Sequence, residues 1–188
     1  MTRIIAGTAG GRRIKAPAGE STRPTSDRVR EALFSAIESE LGSVAGLRFL
    51  DVYAGSGAVA LEARSRGAGV VTLVEHDRRA AALIRGNART LGFDDVDVVV
   101  QPVSRALAHP PRAPYDIVFL DPPYAVPVAD VVAALGSLRD HDWLSHDALV
   151  VVERSSRGPD LEWPTGFAGE RTKKYGETLL WYGRATVQ

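Results

Sequence analysis

A regular alternation of short apolar runs with longer amphipathic stretches is the strongest constraint on how this chain folds. The apolar runs have the length and the Val, Ile and Leu content of buried strands, and the apolar residues between them recur at helical spacing. The predicted strands are Leu47–Val52, Val70–Glu75, Val96–Val100, Tyr115–Leu120 and Ala148–Glu153, and the predicted helices are Gly57–Ser65, Asp77–Leu91, Ser104–Ala108 and Pro127–Leu138. Strands that alternate with helices build a parallel sheet covered on both faces, so the sequence predicts an α/β fold.

Both ends of the chain depart from this alternation. Near the carboxyl terminus, Arg171–Tyr175 and Thr178–Tyr182 meet at Gly176, which predicts an antiparallel hairpin at the edge of the sheet. At the amino terminus, Arg3–Lys15 surrounds a Gly-rich turn and predicts a separate hairpin, and Thr25 or Ser26 is then placed to cap a helix. The expected architecture is a Rossmann-like, seven-stranded, mostly parallel sheet with an antiparallel edge hairpin and a small N-terminal β-hairpin extension.

Composition excludes several classes of protein. The chain has 188 residues, and no apolar run approaches the roughly 20 residues that span a bilayer. The first residues lack the apolar segment of a secretory signal. There are no cysteines, and the four histidines show no ligand spacing, so neither a disulfide framework nor a metal site is expected. A cytoplasmic protein without a metal is the simplest interpretation.

Charge is distributed unevenly along the chain. The net charge is zero, but residues 1–30 hold seven basic side chains against two acidic ones, a surplus of +5. A basic segment on an otherwise acidic protein is typical of contact with nucleic-acid phosphates, although it also fits a solvated terminus. The basic residues expected to make that contact are Arg3, Arg12, Arg13, Lys15 and Arg23. We therefore expect a basic hairpin and linker over residues 1–24 and a main domain over residues 25–188.

A glycine-containing segment follows the first strand of the alternation. Asp51-Val-Tyr-Ala-Gly55-Ser-Gly57 leads into a helix, and Glu75 follows eighteen residues after Gly57, at the end of the next strand. Glycines let the backbone approach a ligand closely, and an acid at the second position is placed to bind the hydroxyls of a ribose. The pattern predicts a nucleoside-containing cofactor bound by Asp51, Gly55, Gly57 and Glu75.

Two cofactors compete for this segment. Gly55-x-Gly57-x-x-Ala60 matches the loose dinucleotide pattern, but a pyrophosphate would lie close to the carboxylate of Asp51. Like charges at short range cost about 1–4 kcal/mol, depending on the effective dielectric. S-adenosylmethionine carries an amine and a sulfonium, both cationic, and no phosphate, so Asp51 favours it. A third interpretation is structural, with Asp51 capping a helix or a turn.

An acid, two prolines and an aromatic follow the strand that ends at Leu120. The tetrad Asp121-Pro122-Pro123-Tyr124 lies where ligands bind in open α/β sheets, outside the carboxyl ends of the strands. Asp121 and the carbonyl of Pro122 can each accept one N–H of an exocyclic amine, and Tyr124 can stack on the base, worth about 1–3 kcal/mol. The alternative is a tight turn in which Asp121 caps the next segment.

Together these segments resemble the class I S-adenosylmethionine-dependent methyltransferases, and within them the bacterial RsmD-type 16S rRNA (guanine-N2)-methyltransferase family. The resemblance covers nearly the whole chain and rests on Arg3–Ile14, Arg23–Phe34, Asp51–Gly57, Glu75 and Asp121–Tyr124. The central motifs are shared with many methyltransferases, whereas the two N-terminal segments narrow the resemblance to this family.

The resemblance implies a set of cofactor contacts. It adds His76 beside the ribose and adenine, and the segment around Arg23 to Thr25 closing over the cofactor. In the place where such families hold the adenine, this chain reads Gln101-Pro102-Val103. Pro102 has no N–H, so that contact must come from the backbone of Val103 or from Gln101. The full implied set is Thr25, Asp51, Gly55, Gly57, Glu75, His76 and Val103.

The resemblance also implies an activity and a partner. Asp121, Pro122 and Tyr124 would direct methyl transfer to the N2 amine of a guanine in 16S rRNA, within a 30S subunit or an assembly intermediate, and the protein would act as a monomer without a metal. Three alternatives remain on the residues alone: an adenine-N6 methyltransferase acting on DNA or RNA, an NAD(P)-binding oxidoreductase, and a non-catalytic RNA-binding assembly factor. The choice of guanine over adenine rests on the resemblance.

Overall fold

The fold is given by a computed structural model that describes residues 2–18 and 26–187. In chain order the elements are β1 (Thr2–Arg3), β2 (Arg13–Ile14), α1 (Asp27–Leu41), β3 (Arg48–Val52), α2 (Ala58–Ser65), β4 (Val70–Glu75), α3 (Arg78–Thr90), β5 (Asp97–Val100), α4 (Val103–Ala106), β6 (Tyr115–Leu120), α5 (Val128–Asp140), β7 (Leu144–Ser155), β8 (Phe167–Tyr175) and β9 (Thr178–Ala185). Across the described ranges they form a seven-stranded sheet of order β5-β4-β3-β6-β7-β9-β8 and a small sheet of β1 and β2.

The large sheet confirms the predicted fold class. Strands β3 to β7 run parallel, and β9 and β8 complete one edge in the antiparallel direction. The predicted strand Ala148–Glu153 extends over Leu144–Ser155, because β7 pairs with β6 along its first part and with β9 along its last part. Ser26 caps α1, where its hydroxyl accepts a hydrogen bond from the N–H of Val29 (3.2 Å).

Helices cover both faces of the sheet, as buried parallel strands require. One face packs against α1, α2 and α3, with Leu33 and Ile84 among the buried residues. The other face packs against α4 and α5, with Leu135 among them. Because side chains alternate along a strand, Asp51 shares the first face with Phe49. The acid that follows the first apolar run is therefore directed toward α1, α2 and α3.

The N-terminal hairpin, residues 2–15, packs directly on the main domain. Ile4 and Ile14 are buried against Leu61 of α2 and against Leu91, the residue that follows α3. Strands β1 and β2 have only two residues each, and much of the chain between them bonds to α2. Gly7 makes the closest approach: a Cβ at this position would lie 1.9 Å from the carbonyl oxygen of Ser65, and its φ is +80°. Only glycine fits there without moving the backbone.

A buried carboxylate fixes this hairpin to α1 and α2. Glu62 accepts hydrogen bonds from the N–H groups of Ile5 (2.8 Å) and Ala6 (3.0 Å). The same carboxylate accepts from the guanidinium groups of Arg30 (3.3 Å) and Arg66 (3.1 Å). The side chains of Glu62 and Arg30 are both 0% exposed. The hairpin is therefore held by a charged group that has no contact with solvent.

Candidate active site

Three acidic side chains lie at the carboxyl ends of three adjacent strands. Asp51 belongs to β3, Glu75 ends β4 and Asp121 follows β6, and β3 pairs with both β4 and β6. The N–H of Asp121 donates to the carbonyl oxygen of Val52 (3.3 Å), so the tetrad begins beside the segment that follows β3. The fold thus brings the predicted cofactor residues and the predicted catalytic residues to one edge of the sheet.

The glycine loop, residues 53–57, adopts a backbone that depends on left-handed conformations. Gly55 has φ +58° and Gly57 has φ +78°, and Tyr53 has φ +63° although it is not glycine. A Cβ on Gly57 would lie 3.1–3.2 Å from the side chains of Ile84 and Leu73, so α3 and β4 approach the loop closely. A non-glycine residue at positive φ is characteristic of functional loops that their surroundings hold in place.

Glu75 holds this loop from the neighbouring strand. Its carboxylate accepts hydrogen bonds from the N–H of Gly55 (2.8 Å) through one oxygen and from the N–H of Asp77 (3.0 Å) through the other. Each carboxylate oxygen has a second lone pair, so Glu75 can also accept a hydroxyl of a ligand. Glu75 therefore fixes the loop and keeps acceptor capacity for a ribose.

Asp51 lies beneath the loop, 2% exposed. Burial raises the pKa of Asp51 well above its ordinary value, the N–H of Ala60 in α2 lowers it, and the carboxylates of Glu75 and Glu153 raise it further. The contact with Ala60 means that Asp51 also caps α2, whose own N-cap, Gly57, has no side chain to do so. The structural interpretation of Asp51 is therefore part of its role.

The electrostatics of this edge favour a cationic ligand. Asp51, Glu75 and Glu153 are close enough for the two glutamates to raise the pKa of Asp51. A positively charged group beside them would stabilise the ionised carboxylates, whereas a pyrophosphate would add two more negative charges. The amine and sulfonium of S-adenosylmethionine fit this set of acidic side chains, and a dinucleotide does not.

The tetrad forms a turn at the mouth of β6. Asp121 is half-buried, Pro122 is buried and Pro123 is exposed, and the N–H of Val126 donates to the carbonyl oxygen of Pro123 (2.9 Å). Tyr124 is 42% exposed and is the large apolar side chain most open to solvent among the described residues. This exposed aromatic provides a flat surface on which a base can stack.

Two further residues belong to this edge and were missed from the sequence. Arg154, at the end of β7, donates to the carbonyl oxygens of Pro123 (3.4 Å) and Val126 (2.8 Å), and Glu153 adds to the buried negative charge near Asp51. Both come directly after an apolar run, as Asp51 and Asp121 do. Charged residues at the carboxyl end of a buried strand were the signal that could have identified them.

The other predicted cofactor residues are placed less tightly. His76 follows β4 with an exposed ring, and its Nδ1 lies 3.5 Å from a carboxylate oxygen of Glu75. Val103 begins α4 just beyond β5, and the first N–H groups of a helix have no partner within it. Thr25, predicted to contact the cofactor, and Arg23, predicted to contact RNA, lie outside the described residues.

The remaining basic residues of the hairpin are exposed, as a nucleic-acid contact requires. Arg3, Arg12, Arg13 and Lys15 all reach solvent. The side chain of Asn87 on α3 bonds to both backbone groups of Lys15 (2.8 and 2.9 Å) and to the carbonyl oxygen of Ser56 (3.5 Å). The hairpin therefore ends beside the glycine loop.

Residues 2–18 and 26–187 contain no helix long and apolar enough to cross a membrane. Within the same ranges, no three or more His, Cys, Asp or Glu side chains form a group that could hold a metal ion.

Comparison with known proteins places these features in context. The model of the family described as Conserved hypothetical protein 95 matches residues 2–184. The chain is 35% identical over 175 residues to "Ribosomal RNA small subunit methyltransferase D" of Escherichia coli K12, covering 93% of this chain and 85% of that protein. The protein of the same name from Haemophilus influenzae is 36% identical over 160 residues, 84% of this chain and 80% of that protein. The solved structure of yhhF from Escherichia coli superimposes with a TM-score of 0.86 and 32% identity, covering 99% of this chain and 98% of that one.

Proposed function

This chain belongs to the Conserved hypothetical protein 95 family, the RsmD family of S-adenosylmethionine-dependent methyltransferases, and we propose that it methylates the N2 amine of a guanine in small-subunit ribosomal RNA. The observation that supports this most directly is that two segments lie next to each other at the carboxyl ends of the strands. One is the glycine loop with its buried acids, and the other is the tetrad Asp121–Tyr124. A cofactor that donates a methyl group and an amine that accepts it can therefore be held side by side.

The tetrad supplies what the acceptor amine needs. The lone pair of a guanine amine is delocalised into the ring, so transfer depends on placing the nitrogen accurately and on drawing electron density toward it. The carboxylate of Asp121 and the carbonyl of Pro122 each accept one N–H, and Tyr124 stacks on the base. S-adenosylmethionine, when bound, supplies an electrophilic methyl group. As the nitrogen gained that methyl group, the bond between the methyl carbon and the sulfur would break and leave a neutral thioether. The nitrogen, cationic after the transfer, would then release one proton.

In this proposal the RNA binds to the exposed side of the N-terminal hairpin. Arg3, Arg12, Arg13 and Lys15 contact phosphates, with Arg23 continuing the contact in the linker. Since the hairpin ends beside the glycine loop, a nucleotide bound there lies close to the cofactor. In this proposal residues 1–24 are the RNA-contacting unit and residues 25–188 carry out the transfer. The enzyme acts as a monomer, in the cytoplasm, on 16S rRNA within a 30S subunit or an assembly intermediate.

The proposal is tested with 30S subunits from a strain that lacks the gene and with labelled S-adenosylmethionine. Wild-type protein should form N2-methylguanine, and Asp121→Ala should lower the rate at least about 100-fold, because the amine loses a positioning acceptor. Calorimetry should find the cofactor affinity of this variant unchanged. Asp140→Ala, an exposed acid at the end of α5, is the matched control and should keep full activity. Full activity in Asp121→Ala would contradict the catalytic assignment.

The same experiment separates the alternatives. N6-methyladenine in the product, or transfer to duplex DNA, would indicate the adenine enzyme. Heat on titration with NADH but not with S-adenosylmethionine would indicate the oxidoreductase. Binding of RNA with no transfer to any substrate would leave the assembly factor.

A further inference from the structure

A buried arginine holds the turn that carries the exposed aromatic of the site. Arg154 is 6% exposed, and its two terminal nitrogens donate to the carbonyl oxygens of Pro123 (3.4 Å) and Val126 (2.8 Å). These two residues also close the turn on themselves, through the N–H of Val126 and the carbonyl of Pro123 (2.9 Å). The residues between them are Tyr124 and Ala125. Arg154 therefore fixes both ends of the short segment on which Tyr124 stands.

The position of Arg154 in the sheet explains why it can reach this turn. Arg154 pairs with Leu179 across β7 and β9, and β7 also pairs in parallel with β6, so the end of β7 lies beside the segment that follows β6. The guanidinium group is planar and has several N–H groups in a fixed arrangement, so one side chain can donate to two carbonyls at once. A lysine ammonium offers a single charged point and does not reproduce this geometry.

Arg154 also lies close to the glycine loop. Burial raises the pKa of Tyr53, the neighbouring Asp130 raises it further, and the positive charge of Arg154 lowers it. Tyr53 belongs to the loop expected to contact the cofactor, and its backbone has a φ of +63°. The direction of its side chain therefore depends on the loop keeping this conformation. One buried cation thus stands between the cofactor loop and the tetrad turn.

We propose that Arg154 is a positioning residue. By donating hydrogen bonds to the carbonyl oxygens of Pro123 and Val126, it holds Tyr124 in the orientation that stacks on the target base. This inference rests on the proposed function, because it assigns Tyr124 to a nucleobase. An exposed aromatic on an unsupported turn would have to be ordered during each encounter with RNA, and that ordering weakens binding. A turn that is fixed beforehand avoids this cost.

The test is a double-mutant cycle with Arg154→Met, Tyr124→Ala and the double variant, measured as kcat and KM on undermethylated 30S subunits. Met keeps most of the length of the side chain but cannot donate to the carbonyls. Each single variant should lower kcat/KM roughly 5- to 100-fold, the range expected for loss of one stacking contact. The kcat/KM of the double variant should lie within about twofold of that of the less active single variant, since both changes remove the same contact. Cofactor affinity should change less than about twofold.

Three controls make the outcome decisive. Arg157→Met removes an exposed arginine three residues further on, paired with Glu177, and should leave kcat/KM unchanged. Arg154→Lys should recover only part of the loss. Hydrogen exchange should show the N–H of Val126 exchanging faster in Arg154→Met than in wild type, while amides in the central strands stay protected, and this readout does not depend on activity.

Two results would overturn the inference. If the losses in the two single variants multiply in the double variant, Arg154 does not act through Tyr124. If Val126 keeps its protection in Arg154→Met, Arg154 does not hold the turn. A wild-type protein that methylates no RNA would instead refute the proposed function, and the exchange of Val126 would still test the hold of Arg154 on the turn.

Discussion

Replacing Glu62 by glutamine should release the N-terminal hairpin while leaving the main domain folded. The carboxylate accepts four hydrogen bonds, two from backbone N–H groups of the hairpin and two from arginines of α1 and α2. An amide has one acceptor atom and one donor group. In Glu62→Gln the amide nitrogen would replace one carboxylate oxygen, so the two N–H groups that now donate to that oxygen would lose their acceptor.

The expected cost follows from burial. Glu62 and Arg30 have no exposed side-chain surface, so the variant removes the buried anionic partner of this guanidinium, which keeps only its pair with the half-exposed Asp27 (3.1 Å). Breaking a buried ion pair from one side costs about 3–5 kcal/mol, and leaving a buried donor without an acceptor costs about 1–3 kcal/mol. We expect a loss of roughly 3–5 kcal/mol in the free energy of unfolding. For a chain of this length that lowers Tm by roughly 6–20 °C.

The assay combines urea denaturation with hydrogen exchange. The N–H groups of Ile5 and Ala6 should lose protection in Glu62→Gln, whereas those of the central strand β3 should exchange as in wild type. The matched control is Asp95→Asn, which removes an ion pair with Arg64 (3.0 Å) whose members are 49% and 29% exposed. Exposed pairs contribute about 0–1 kcal/mol, so this control should be nearly neutral.

The reasoning would be refuted if Glu62→Gln lost less than about 1 kcal/mol, the lower limit for a buried unpaired donor, or if Ile5 and Ala6 stayed as protected as in wild type. Either result would mean that apolar contacts of the hairpin are sufficient to hold it. In that case the burial of Ile4 and Ile14 would supply most of the stabilisation, and Ile14→Ala should give the larger effect.

Two further predictions concern Asp51 and Gly7. Burial raises the pKa of Asp51 in the folded protein above its value in the unfolded chain. The folded protein therefore has its full stability below about pH 4, where Asp51 is protonated in both states, and the free energy of unfolding falls as the pH rises through the raised pKa. Asn does not titrate, so Asp51→Asn should not lose stability in this way. In urea titrations of cofactor-free protein from about pH 4.5 to 8.5, the variant's free energy of unfolding should exceed that of wild type by an amount that grows with pH. A difference that stays constant with pH would contradict the raised pKa of Asp51. Gly7→Ala should lower the free energy of unfolding by about 1–3 kcal/mol more than Gly11→Ala in thermal denaturation, since both have positive φ but only Gly7 meets a backbone atom, and equal losses would refute the close approach to Ser65.

The fold was predictable because its signal is local. The apolar runs that form β3, β4, β5, β6 and β7 are short, separated by helical spacing and bounded by turn residues. Each strand matches its predicted run to within one residue except β7, which begins four residues earlier and ends two residues later. The edge of the sheet that carries the site followed from the same pattern, since Asp51, Glu75 and Asp121 all stand at strand ends. The antiparallel hairpin that forms one lateral edge of the sheet was also expected, although β8 and β9 are longer than predicted.

The contacts that hold the N-terminal hairpin and the tetrad turn were not predictable, because they join residues far apart in the chain. Glu62 bonds to amides 57 and 56 residues away, and Arg154 bonds to a carbonyl 28 residues away. In the sequence Glu62 is one acid on an amphipathic helix and Arg154 is one charge after a strand. Neither pattern shows that the side chain is buried or which partner it meets. The sequence also left open whether Asp51 caps α2, since that contact depends on how α2 packs over β3.

The attachment of the hairpin to α2 and α3 has a consequence for the order of events during synthesis. The hairpin leaves the ribosome before α2 and α3, but the residues that bury Ile4 and Ile14 extend from Ala58 to Phe93. Until those residues have emerged, this segment has no surface on which to fold, and contacts between distant parts of a chain form late. The hairpin is thus ordered only after the residues up to Phe93 have emerged, and the basic surface assigned to RNA becomes complete together with the glycine loop.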